Sequence, residues 1–192
     1  DEFNALKNDV INELKRRMPD AQMLAQHLVN LYADTTQDSV LRDYCIQHLG
    51  TVYKKLEAAD KNEVLSVFWK ATDDKTSSTA GTALIALVNN KEDPLVSMGD
   101  VSDKAVAIAG NPNYAVGARV TAVQIGAKLS NPQILPIARS LASNREEPVP
   151  LRVSAIAAIG MMGDPSDRDL LDELASSPDS RLQTTARSAL NR

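Results

Sequence analysis

The feature that most constrains this chain is a register that recurs along it, clearest in residues 148–165, P-V-P-L-R-V-S-A-I-A-A-I-G-M-M-G-D-P. Leu151-Arg152 heads the stretch, and Ala155, Ile159 and Gly160 follow at three, seven and eight residues from the arginine. Offsets of three and seven fall on one face of a helix, so the small and apolar side chains form a single buried stripe. Prolines lead in and Gly163-Asp164-Pro165 leads out, which bounds the helix at both ends. The same register appears at Arg42, with Cys45, Leu49 and Gly50, and less completely at Ala80, Arg119 and Gln183. Consecutive heads stand 38, 39, 33 and 31 residues apart. Between them lie shorter apolar-periodic segments set off by polar turns, so the repeating unit is a pair of helices.

This register resembles the second helix of the short, Ala-rich HEAT repeats found in lyase-type relatives, often written V-R-x-x-A-x-x-A-L-G. The resemblance implies an all-α fold, a right-handed α-α superhelix (a HEAT-like solenoid) of about five helix pairs behind an N-terminal helix. The expected domain is a single one over residues 1–192: a leading helix over 1–18, then pairs over 21–56, 61–90, 94–129, 132–162 and 165–191. No single pair can bury its own apolar stripe, and stacking merges the stripes into one core. The resemblance also implies a ladder between neighbouring repeats, built from each head arginine and an acidic turn residue. The matching positions are Asp38 with Arg42, Glu147 with Arg152, and Asp179 with the substituted Gln183.

Individual residues sharpen these expectations. Phe3, Leu6, Val10, Ile11, Leu14 and Met18 recur at helical spacing, with Pro19 as the stop, and predict a helix capping the first pair. Asp38 is placed to cap the helix that follows it. Cys45 stands in the slot that Ala155 fills later, which predicts a core thiol. Residues 89–103 read as a longer connection leading to a short helix over 102–109. Trp69 is read as packing, and Met161 with Met162 as core filler.

Composition narrows the function. The chain has 192 residues, 43% hydrophobic and 24% charged, within the globular range. Aromatics are only 4%, which suits closely packed helices better than a sandwich of sheets. A net charge of −4 and a pI near 5.2 argue against a nucleic-acid partner, which needs a concentrated basic surface. No apolar run reaches the roughly 20 residues of a membrane-spanning helix. One cysteine rules out an internal disulfide, and no Cys/His metal spacing exists. The chain opens Asp1-Glu2-Phe3 without an initiator Met or a signal-like apolar run, compatible with a mature exported form or a trimmed one, so cytoplasmic and exported settings both stay open.

No constellation for catalysis is visible. His48 stands three residues after Cys45, but a nucleophile also needs an orienting group and a site for the developing charge. No His-Glu pair of the kind that binds iron in HEAT-like hydroxylases is present. The inner face lacks the basic and aromatic richness of HEAT-like DNA glycosylases. No cofactor, metal or catalytic residue is therefore expected. In the resembling family the second helices line the concave side, so positions two and five after each head should face a partner. Tyr44, Gln47, Thr82, Thr121 and Gln124 are the candidate partner-binding residues. The expected function is a non-enzymatic protein-interaction scaffold holding a protein or peptide segment. The alternative is a HEAT-like enzyme or lyase-type subunit cradling a small molecule.

Overall fold

The computed structural model describes residues 2–18 and 20–191, with side chains for all of these but residues 2 and 4. Pro19, read from the sequence as the stop of the first helix, lies outside them. The described residues form eleven α-helices and no strand: α1 (Glu2–Arg17), α2 (Ala21–Ala33), α3 (Ser39–Val52), α4 (Ala58–Ala71), α5 (Thr79–Asn89), α6 (Met98–Ala109), α7 (Val116–Lys128), α8 (Ile134–Ser143), α9 (Val149–Met162), α10 (Arg168–Leu174) and α11 (Ser180–Leu190). The fold is all-α, as the register predicts, and every head residue lies on the second helix of a pair. The chain gathers into two compact units, Asp1–Val101 and Ser102–Arg192.

In the N-terminal unit, α2 packs on α3 and α4 on α5, while α3 and α5 lie side by side. Asp20 and Asp38 start α2 and α3 by accepting the free N–H groups of the first turns, at 2.9–3.1 Å. Leu24, Leu28 and Tyr32 on α2 and Cys45, Ile46 and Leu49 on α3 are buried. Val64 and Phe68 on α4 and Ala83, Leu84 and Leu87 on α5 extend that core, and Tyr53 tilts against Phe68 with ring centroids 6.0 Å apart. Trp69 is partly buried.

α1 behaves differently from the expected cap. It packs on α3 and buries Ile11 completely, but Phe3, Leu6 and Val10 are 78%, 59% and 52% exposed. Only part of the apolar face of α1 lies against α3, so the wider stripe legible in the sequence is only partly used. Polar contacts complete the seating: Lys7 pairs with Asp38 at 2.9 Å, and the His48 ring meets Asn8 Oδ1 at 2.9 Å and Lys15 Nζ at 3.3 Å.

The connection after α5 is shorter than the sequence suggests, because α6 begins at Met98 rather than Ser102. Asn90 donates to the carbonyls of Gly50 and Ala86, tying the ends of α3 and α5 together. Asp93 folds the turn by accepting from the Leu95 N–H and pairs with Lys61 at 2.9 Å.

In the C-terminal unit α9 is the centre, packed by α7, α8 and α11. Leu151, Ser154, Ala155, Ile156, Ala158 and Ile159 are all buried, which is why its sequence is apolar almost all round. Gly160 lets α11 approach: a Cβ there would stand 2.7 Å from the Ala189 Cβ. Met161, read as core filler, is 54% exposed; it follows Ile159, the last buried residue of α9.

The arginines do two jobs. Arg42, Arg119 and Arg152 each donate from Nε to a backbone carbonyl ten residues earlier, on Tyr32, Ala109 and Ala142, at 2.9, 3.2 and 3.1 Å. Those carbonyls lie in the last turns of α2, α6 and α8, where no intrahelical N–H reaches them. Arg119 alone also forms a two-pronged pair with a carboxylate of the next repeat, Glu147, both contacts at 3.1 Å. The rung therefore joins Arg119 to Glu147, whereas the sequence set Glu147 with Arg152. Asp38 and Asp179 serve as N-caps.

Candidate partner-binding face

Positions five residues after each head are open. Gln47, Ile85, Gln124, Ala157 and Ser188 are all exposed. Positions two residues after the head are not equivalent to them: Tyr44, Thr82 and Thr121 are partly buried and Ser154 is fully buried. At about 100° per residue, offset five stands about 160° from the slot at offset seven and offset two about 140°, so the wheel hardly separates them, and what differs is the neighbour. At offset two the preceding second helix packs. The Thr82 hydroxyl on α5 donates to Asp43 on α3 at 2.7 Å, and the Ser154 hydroxyl on α9 donates to the Val120 carbonyl on α7 at 3.2 Å. Offset two thus joins second helices together, and offset five faces outward.

In the N-terminal unit this arrangement makes a groove of about 680 Å³ between α3 and α5. Gln47, Gly50, Thr51 and Lys54 line one wall, the last three following Gln47 by three, four and seven residues. Ile85 and Asn89 line the other, with Thr82 and Ala86 below. Gly50 keeps the floor low: a Cβ on it would approach the Ala86 Cβ to 3.1 Å, tighter than ordinary contact. Asp43 braces the upper end by accepting from the Gln47 amide at 2.9 Å and from Thr82, which leaves neither of its oxygens pointing free. Of the five candidate residues, Gln47 and Thr82 thus share one groove, and Tyr44 stands three residues before Gln47 on the same helix. Thr121 and Gln124 lie on α7 of the other unit. Sequence reasoning passed over Gly50, Thr51, Lys54 and Asn89; the helical progression from Gln47 was the signal for the first three.

Cys45 and His48 are committed to structure. Cys45 is fully buried, and burial pushes its thiol up to about 11. His48 is pushed down to about 4, first by burial and then by the Lys15 charge. Both ring nitrogens of His48 are engaged by Asn8 and Lys15, so no imidazole nitrogen is turned to the thiol. In the C-terminal unit a hollow of about 430 Å³ beside Asp164 and Asp167 carries charge that is already paired. Arg139 forks onto Asp167 at 2.6 and 2.9 Å and reaches Asp164 at 3.1 Å. The guanidinium holds the Asp167 carboxyl below its ordinary range despite burial. Among the described residues no three His, Cys, Asp or Glu side chains gather as metal ligands, and no helix is long and apolar enough to cross a membrane.

Paired helices with exposed, nearly neutral second-helix faces define a helical-repeat protein. Within that class, the sequence profile of HEAT repeats matches residues 102–191, and this part of the chain belongs to the HEAT-repeat family. No curated protein sequence matches the chain. Among solved structures it is similar to human deoxyhypusine hydroxylase in complex with glycerol, at 17% identity and a TM-score of 0.45, over 98% of this chain and 79% of that one.

Proposed function

We propose that the protein is a non-enzymatic interaction scaffold that holds a protein or peptide segment against its second helices. The observation that carries this reading is the division of labour along those helices. Offsets two and three are spent on packing and on seams such as Thr82–Asp43, and offset five is left open and uncharged in each repeat. Such a surface offers hydrogen-bonding amides and small side chains along which a segment can lie, with Tyr44 as the one aromatic anchor among the candidates. Gln47, with Tyr44 beside it, serves the N-terminal unit in this role and Gln124 the C-terminal one, while Thr82 and Thr121, partly buried at offset two, contribute only the edge of the face. The burial of Cys45 and the occupied nitrogens of His48 support a packing role for both rather than a reactive one.

The test compares what immobilised wild type and a Tyr44→Glu/Gln124→Arg variant of matched thermal stability retain from the native extract. A scaffold keeps a defined protein that the variant loses. Equal retention by both would move the contact off this face and end the assignment of these residues.

A further inference from the structure

The groove between α3 and α5 and a second depression share one lining residue, Thr51. This second hollow, of about 380 Å³, lies where α1, α2 and the end of α3 meet, and it is lined by Lys15, Met18, Leu24, Val52 and Lys55. Among the described residues, Lys54 on one side and Lys15 and Lys55 on the other are the only charged side chains that line either depression. No carboxylate lines them, although the chain carries 25 acidic residues against 21 lysines and arginines. Lys15 is turned to His48, and the nearest carboxylate along α3, Asp43, has both oxygens taken by Gln47 and Thr82. Beneath the cations the surface is aliphatic. Ile85 is 46% exposed, and Ala86, Leu24 and Val52 close the floor.

We propose that this doubled groove docks an acidic, aliphatic peptide segment, with carboxylates over Lys54, Lys55 and Lys15 and an aliphatic side chain against Ile85 and Ala86. The proposal rests on the scaffold reading and names the chemistry of its partner. Complementarity of charge selects the occupant: a local excess of cations on an acidic protein repels basic segments and steers acidic ones. A nucleic acid is the poorer fit. Neither depression is lined by an aromatic ring on which a base could stack, and three lysines neutralise few phosphates. The free amide of Asn89 can bond a peptide backbone on the groove's wall, and the Thr51 hydroxyl, which donates to the His48 carbonyl at 2.8 Å, can accept from one.

The experiment follows backbone amide signals of the isotope-labelled full chain while short acetylated peptides are added. One peptide repeats Leu-Glu-Ala-Glu, and the controls repeat Leu-Gln-Ala-Gln and Leu-Lys-Ala-Lys; an oligothymidylate is the nucleic-acid probe. The acidic peptide should move the signals of Gly50, Thr51, Lys54, Ile85 and Ala86, and binding should weaken as salt rises. A Lys54→Gln/Lys55→Gln variant should bind it about fivefold more weakly at low salt, and a Lys54→Arg/Lys55→Arg variant should retain it. Equal binding of the Gln peptide at the same amides would overturn the acidic preference while leaving the scaffold reading intact. Tighter binding of the oligothymidylate there would overturn the peptide assignment. Absence of any shift at these amides would overturn the site, and the extract comparison above would then judge the scaffold reading by itself.

Discussion

Replacing Arg119 with methionine removes three hydrogen bonds at once: the Nε bond to the Ala109 carbonyl and the two-pronged pair with Glu147. The Arg119 side chain is only 6% exposed and that of Glu147 17%, so the abandoned carboxylate regains little water. Breaking a buried pair by removing one partner costs roughly 3–5 kcal/mol, and the partial exposure of Glu147 sets the expected loss near the lower end, about 3 kcal/mol. Arg152 is the internal reference. Its Nε and Nη2 both bond the Ala142 carbonyl, at 3.1 and 3.0 Å, and among the described residues it forms no ion pair with a carboxylate. Arg152→Met should therefore cost about 1–1.5 kcal/mol. At about 2–4 °C per kcal/mol for a chain of this size, the melting temperature should fall by about 6–12 °C for Arg119→Met and by about 2–6 °C for Arg152→Met. Circular dichroism at matched pH and salt is the assay, and adding Glu147→Leu to Arg119→Met should recover part of the loss. Equal destabilisation by the two single substitutions would refute the argument, since the rung to Glu147 would then contribute nothing beyond the carbonyl cap.

Gly160→Ala should destabilise by about 1–3 kcal/mol despite the better helix propensity of alanine, because the new methyl meets Ala189; Gly99→Ala, with nothing nearer than 3.9 Å, should be neutral or mildly stabilising in the same melt. Cys45 should resist iodoacetamide at pH 8 in the native protein and react once urea exposes it, since the buried thiol is held at about 11; rapid native labelling would contradict its burial. His48 binds its proton more weakly when folded (about 4) than at its ordinary value of 6.5, so the unfolded chain takes up the proton first as pH falls. Its contribution to stability is complete above about pH 6.5 and is lost towards pH 4, and His48→Gln should flatten the melting-temperature profile across that window.

Much of this fold was legible because the relevant physics is local. Arg42, Arg119 and Arg152 stand at fixed distances from their buried slots, and Asp38 announces the helix it caps, so helix pairs and core positions follow from spacing. Cys45 takes the slot assigned to it for the same reason. What spacing does not show is which flank of a helix receives a neighbour. Thr82 and Ser154 look as outward-facing as Gln47 on a helical wheel, yet the adjacent second helix turns them into seam residues. Met161 follows an apolar run but lies past Ile159, the last buried residue of α9, and α1 displays a broad apolar stripe although α3 covers only part of it. Met98 extends α6 by four residues because the Asp93 turn brings the chain round sooner than its acidic, Pro- and Gly-containing sequence suggests. Lys54 and Lys55 escaped notice for a related cause: as charges at a helix end they look ordinary until the depressions beside them are seen.

The central claim is that partners meet the second helices, and site-specific photocrosslinking tests it most directly. A benzophenone side chain placed at Gln47 or at Gln124 should trap the retained protein. The same group at Gln26 on α2 or Glu63 on α4, both exposed on first helices, should trap little. Crosslinks from Gln26 and Glu63 with none from Gln47 and Gln124 would contradict the account and place the interaction on the opposite helices.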